Sequence, residues 1–116
     1  MKSGLLGPYR LTVDGIDEAV KEKAPGVFAL GHEDFQGRFR ITHIGRSDNE
    51  LRSSLCDMIG TSGLFKYITV ETSKEAFEKQ CELFHKFKPP GNSLHPDRPP
   101  GTSWTCPRCM QSHGRW

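Results

Sequence analysis

A chain of 116 residues has room for one domain with a real core and excludes two ordinary ones. Its net charge of +2 and pI near 8.4 are too mild for bulk charge alone to demand a polyanionic partner. No stretch approaches the about 18 apolar residues of a membrane helix, and the start lacks an apolar signal core with a small-residue cleavage site, so the expectation is a soluble, unsecreted, cytoplasmic protein without a membrane partner.

Taken in chain order, Tyr9, Leu11 and Val13 alternate with Arg10 and Thr12 as in a short edge strand. Asp14 is placed to cap a brief helix from Ile16 to Lys23, which Pro25 and Gly26 end. This stretch, residues 1–24, reads as a lead-in. Gly26 to Gly31 is an apolar run bounded by glycines, the composition of a buried central strand. The polar loop from His32 to Gly37 returns the chain as an antiparallel hairpin. Phe39, Ile41 and His43 then alternate with Arg38, Arg40 and Thr42, which predicts a half-buried strand ending at Gly45.

Ser47 and Glu50 have the spacing of a capping box, and Leu51, Leu55, Met58 and Ile59 recur at helical spacing. The turn between strand and helix is the stretch where function is expected. It places His43 at a strand end, lets backbone approach closely at Gly45, and brings Arg46 and Arg52 to an edge suited to an anion. Ordinary strand-to-helix packing with exposed arginines is the alternative. Phe65, Tyr67 and Thr69 alternate with Lys66, Ile68 and Val70 in a third strand, and Thr72 and Glu75 form a second capping box. The helix that follows reaches about Phe87, before Pro89, Pro90 and Gly91. Ala76, Phe77, Cys81, Phe84 and Phe87 form its apolar stripe, with Gln80 near the middle. That amide reads either as a site residue or as a rim residue bonded to backbone, because buried polar groups need partners.

The fold class is thus α+β (α/β in the broad sense), a small three-stranded, mostly antiparallel sheet flanked by helices over residues 25–96. Residues 97–116 form a basic tail containing proline and cysteine. Residues 1–87 hold twelve Lys plus Arg against thirteen acids, whereas residues 88–116 hold four against Asp97 alone. Cys56 and Cys81 fall on predicted helices and Cys106 and Cys109 form a C-x-x-C, a distribution suited to a reducing compartment. Cys106, Cys109 and His113 offer three ligands to a structural Zn2+, which needs a fourth from His95, His85 or Cys81. The alternative is a pair of free or reversibly oxidised thiols.

The order of these elements resembles the GIY-YIG nuclease superfamily over roughly residues 24–96. Gly26-Val27-Phe28 stands where that family has Gly-Ile-Tyr, and His43-Ile44-Gly45 where it has Tyr-Ile-Gly. Cys81 to His85 and Asn92 follow at matching places, and the Asn92 to Pro100 run with Cys-Pro-Arg-Cys is similar to the tails of small bacterial members. The resemblance implies hydrolysis of a nucleic-acid phosphodiester, DNA in the first instance, with Mg2+ or Mn2+ held by a helix glutamate and an arginine on the phosphate.

Carried over by position, Phe28 replaces a tyrosine and His43 replaces the second, where it would act as general base. Ser54 falls at the helix arginine, with Arg52 or Arg46 able to reach in instead. Gln80 falls at the metal-binding glutamate, with Glu82 as the alternative ligand under a shifted register, and Asn92 matches the family's asparagine. A neutral amide is a poor ligand for a hard cation, so the implied domain binds nucleic acid with weak or no cleavage. Arg38, Arg40, Arg46 and Arg52 would then contact its backbone. An active endonuclease and a zinc-stabilised protein-interaction module are the other readings. Composition leaves the oligomeric state open.

Overall fold

In a computed structural model, residues 4–87 are described. The elements are β1 (Leu6–Arg10), α1 (Val13–Ala19), β2 (Gly26–Glu33), β3 (Phe39–Ser47), α2 (Leu51–Asp57), β4 (Leu64–Thr69) and α3 (Ser73–Phe87). The α+β class holds, but the sheet has four strands, all antiparallel, in the order β1-β4-β2-β3. The expected count of three left out the edge strand of the lead-in, which lies at Leu6–Arg10 rather than Tyr9 to Val13 and joins the sheet by pairing with β4. Its ladder shifts between Leu6 and Tyr9, which keeps this edge short and irregular.

The apolar run of β2 occupies the interior position its composition demands, with β3 on one side and β4 on the other. Side chains on successive residues point to opposite faces, so β2 feeds two clusters. Phe28 and Leu30 join Leu11, Ile16, Val20, Leu51, Leu55, Phe65 and Tyr67 beneath α1 and α2. Val27 and Ala29 join Ile44, Ala76 and Leu83 beneath α3.

Local chemistry explains where the helices start. Thr12, rather than Asp14, caps α1: its hydroxyl accepts from the Gly15 N–H at 3.0 Å, so the helix begins earlier and ends earlier than expected. Ser47 does not cap α2: it ends β3, its hydroxyl accepts from the Glu50 N–H at 3.0 Å across the turn, and Glu50 itself takes the N-cap position with its carboxylate accepting from the Ser53 hydroxyl at 3.2 Å. The start of α2 is further fixed by Leu51 N–H donating to the Ala24 carbonyl at 2.9 Å. At α3 the Thr72 hydroxyl accepts from the Glu75 N–H at 3.1 Å, one half of the expected capping box, and donates to the Glu75 carboxylate at 3.3 Å.

β3 departs from simple alternation. His43 pairs with Leu30, but the next pair is Ile41 with Gly31, so Thr42 is an extra residue and its hydroxyl donates to the Leu30 carbonyl at 3.2 Å. A Cβ on Gly31 would collide with the Arg40 carbonyl, which is why glycine stands opposite this bulge. The bulge separates three residues expected on one face. Phe39 and Ile41 pack with the α3 cluster, while His43 lies near Phe28 on the α1/α2 side. The strand also runs past Gly45 to Ser47. Gly45 is required because the Phe28 ring lies over it, so that any Cβ there would meet the ring.

Candidate functional site

The sheet divides the residues singled out by sequence into two groups. On the α1/α2 face, the Phe28 and His43 rings lie 6.5 Å apart between centroids at 40°, with Gly45 beneath Phe28. Arg52 and Ser54 come from α2, whose Leu51 and Leu55 are buried in that face's cluster. Ser54 is half-buried, and Arg52 is ion-paired with Asp17 of α1.

The second group is Arg46 and Gln80, and it is the better-defined polar cluster. Arg46 leaves β3 opposite Val27, so it points to the α3 face, and its side chain is only 12% exposed. Its Nε donates to Asp48 Oδ1 at 2.9 Å and its Nη1 donates to Gln80 Oε1 at 2.8 Å. The guanidinium carbon lies 5.3 Å from the centre of the Phe77 ring, a cation–π contact. Gln80, buried on α3, also donates from Nε2 to the Ile44 carbonyl at 3.4 Å. Both ends of the amide are therefore used, one by an arginine and one by backbone. The backbone partner matches one of the two readings of Gln80, although the residue is buried rather than at a rim.

Gln80 does not fit the role of a cation ligand. Its oxygen already accepts from a guanidinium, a positive charge that disfavours a divalent cation at the same atom. Glu82 stands elsewhere on α3, 3.8 Å from Lys79 Nζ, in an open cleft of about 380 Å³ lined also by Val70, Glu75 and Glu78. Among the described residues no group of three or more His, Cys, Asp or Glu side chains is placed to hold a metal. Asn92, His95, Cys106, Cys109 and His113 lie outside the described residues.

The four arginines assigned to a nucleic-acid surface differ in their surroundings. Arg40 Nε donates to Asp34 Oδ2 at 2.8 Å, Arg46 pairs with Asp48, and Arg52 pairs with Asp17. Among the described residues, Arg38 has no ion-pair partner. Sequence reasoning missed all three acidic partners. Asp48 was within sight, two residues beyond Arg46, whereas Asp17 meets Arg52 only because α1 and α2 pack together.

The β2–β3 hairpin is where sequence placed it, with a loop ending at Gly37, but the hydrogen-bonded turn at its tip was not foreseen. Gly37 N–H donates to the Asp34 carbonyl at 3.0 Å, and Asp34 N–H to the Arg38 carbonyl at 2.9 Å. Asp34 Oδ1 accepts from the N–H groups of Gln36 at 2.8 Å and Arg38 at 3.0 Å, an Asx turn closed by Gly37 at φ +79°. The Arg38 N–H, and to a lesser degree Arg40 and the Gln36 N–H, hold the Asp34 carboxyl below the usual carboxylate range against an opposing effect of burial. The D-x-x-G spacing ahead of a strand was the signal for this turn. Comparison with protein-family models, curated proteins and solved structures gives no match. No helix among the described residues is long and apolar enough to cross a membrane.

Proposed function

We propose that this chain is a cytoplasmic nucleic-acid-binding domain of GIY-YIG type, with DNA as its first candidate ligand, in which cleavage is weak or lost. The observation that carries the loss is the Arg46–Gln80 contact. Where the resemblance puts a metal-binding carboxylate, a neutral amide is held at 2.8 Å by an arginine and also donates to the Ile44 carbonyl. No hydrolytic step is therefore routed through a metal at Gln80. Binding is supported by Arg38 and Arg40 on the hairpin and by the net positive charge of residues 88–116.

The test combines two measurements on the full chain. Fluorescence anisotropy with duplex and single-stranded DNA is expected to give binding that weakens steeply with salt, since each neutralised phosphate releases counterions. Nicking of supercoiled plasmid in Mg2+ or Mn2+ is expected to stay at the background set by Asn92→Ala. Metal-dependent nicking by the wild type and not by Asn92→Ala would overturn the loss of cleavage and make the chain an active endonuclease, with Glu82 as the next ligand to test. Cutting gained by Gln80→Glu alone would support the assigned position and show that Arg46 releases a carboxylate to the metal.

A second reading, a zinc-stabilised protein-interaction module, is favoured by one observation. Arg40, Arg46 and Arg52 each already face a carboxylate, which reduces the charge they offer to phosphate. One zinc per chain by elemental analysis together with absent DNA binding at low salt would select it.

A further inference from the structure

The β2–β3 hairpin holds Phe35 at 98% exposure, the largest of any big apolar side chain among the described residues. Leu6, Val13 and Ile59 are exposed by 54%, 56% and 38%. Single apolar residues on a surface are ordinary and need no explanation by themselves. Phe35 differs because the turn presenting it is built. Asp34 anchors two backbone N–H groups and Arg40, Gly37 closes the turn, and the Glu33–Phe39 pair seals its base. The ring is thus held in solvent by a fixed turn, and it contributes almost nothing to the core.

The charges around the tip say what would stack on that ring. His32 and Arg40 are paired across the hairpin, and both are exposed. Glu33 is exposed and pairs with Phe39 on the α3 side of the sheet, and the Asp34 carboxylate is turned onto its own backbone with only 14% of its side chain exposed. Arg38, three residues beyond Phe35, is exposed and has no ion-pair partner among the described residues. An exposed ring on the same short turn as an exposed arginine is complementary to a base with its flanking phosphates. A base inside a duplex has its faces covered, whereas an unpaired base offers one.

We infer that Phe35 is a stacking contact for an unpaired base of single-stranded nucleic acid, with Arg38 and Arg40 on the adjoining phosphates. This rests on the nucleic-acid reading above and adds to it the form of ligand and the contact residue. A protein surface docking on Phe35 is the competing occupant. It is disfavoured because a lone ring at the tip of a polar turn provides no contiguous apolar patch.

The experiment is anisotropy of a fluorescein-labelled oligothymidylate against the full chain, titrated at several salt concentrations, for wild type, Phe35→Ala, Phe35→Trp and Arg38→Ala. Since Phe35 touches little, its truncation leaves the fold intact, which circular dichroism verifies. Phe35→Ala is expected to weaken binding about tenfold without changing the salt slope, and Phe35→Trp to retain or tighten it. Arg38→Ala is expected to lower the salt slope by about one. Equal affinities for wild type and Phe35→Ala would overturn this inference while leaving nucleic-acid binding in place. No binding by the wild type would remove both. Self-association that depends on Phe35, with oligonucleotide affinity unchanged, would assign the tip to a protein surface and overturn the inference.

Discussion

The two faces of one sheet are stabilised differently. Beneath α1 and α2, nine buried side chains form a cluster whose one hydroxyl, on Tyr67, donates to the Ala19 carbonyl at 2.8 Å. Beneath α3, the apolar cluster is smaller, and an arginine with an amide partner is set beside it. The first face depends on removing carbon from water. The second depends on every polar atom of Arg46 and Gln80 keeping its partner, because an unpaired buried group forfeits its hydration with nothing in return. His43, expected from sequence as a general base, and Gln80, expected at a ligand position, thus stand on opposite sides of the sheet, in environments that respond to different substitutions.

The largest expected effect falls on the first face. Phe65 is fully buried and its ring centre lies 5.7 Å from that of Tyr9 and 6.1 Å from that of Tyr67. Phe65→Ala is expected to cost about 3–5 kcal/mol, the range for deleting a buried aromatic ring that leaves a cavity. Urea denaturation measures it. A loss near zero would mean that the helices close over the gap and that this face is loosely packed.

Next comes Arg46→Ala, expected to cost about 1–3 kcal/mol because Gln80 Oε1 loses its donor while remaining buried. The informative comparison is the double replacement Arg46→Met with Gln80→Leu, which removes donor and acceptor together. Its cost is expected to be well below the sum of the single changes, since a satisfied pair is often replaced by apolar groups with little loss. Additive costs would break the contrast drawn between the faces. Smaller again is Tyr67→Phe, which removes one hydrogen bond and leaves the ring, and is expected to cost about 1 kcal/mol in the same assay. A cost comparable to that of Phe65→Ala would make the hydroxyl, rather than the apolar cluster, the support of this face.

Much of this division was readable from residues. The run from Gly26 to Gly31 has no polar side chain, so it had to lie between two strands, and the Thr72 and Glu75 box set the phase of α3 and placed Gln80 in its buried stripe. What escaped was set by contacts distant in sequence. Alternation predicted His43 beside Phe39 and Ile41, and one inserted residue at Thr42 turned it to the other face, a change that a period of two does not encode. Gly45 resembled a turn glycine, and its true constraint is the Phe28 ring from the neighbouring strand. The edge strand was placed at Tyr9 to Val13, in a lead-in outside the sheet, rather than at Leu6–Arg10, because nothing local names β4 as its partner. The separation of Gln80 from His43 followed from strand pairing, so the candidate site was legible residue by residue but not as an arrangement.

The smallest expected effect concerns the hairpin that joins the faces. Asp34 accepts from the N–H groups of Arg38 and Gln36 and from Arg40, contacts that are stronger to its carboxylate than to its protonated form. They lower its folded pKa, the Arg38 N–H most of all, although burial opposes them. With the folded value below the unfolded one, the turn gains stability that is present above the unfolded pKa of about 3.9 and is lost as pH falls through the folded value. An NMR titration should therefore show the Asp34 carboxyl titrating below that figure, with the Gln36 and Arg38 amide shifts moving at the same midpoint. A midpoint at or above it would mean that the turn is open in solution. Phe35 would then lose its fixed presentation, while the clusters on the two faces, which share no side chain with Asp34, would keep their stability.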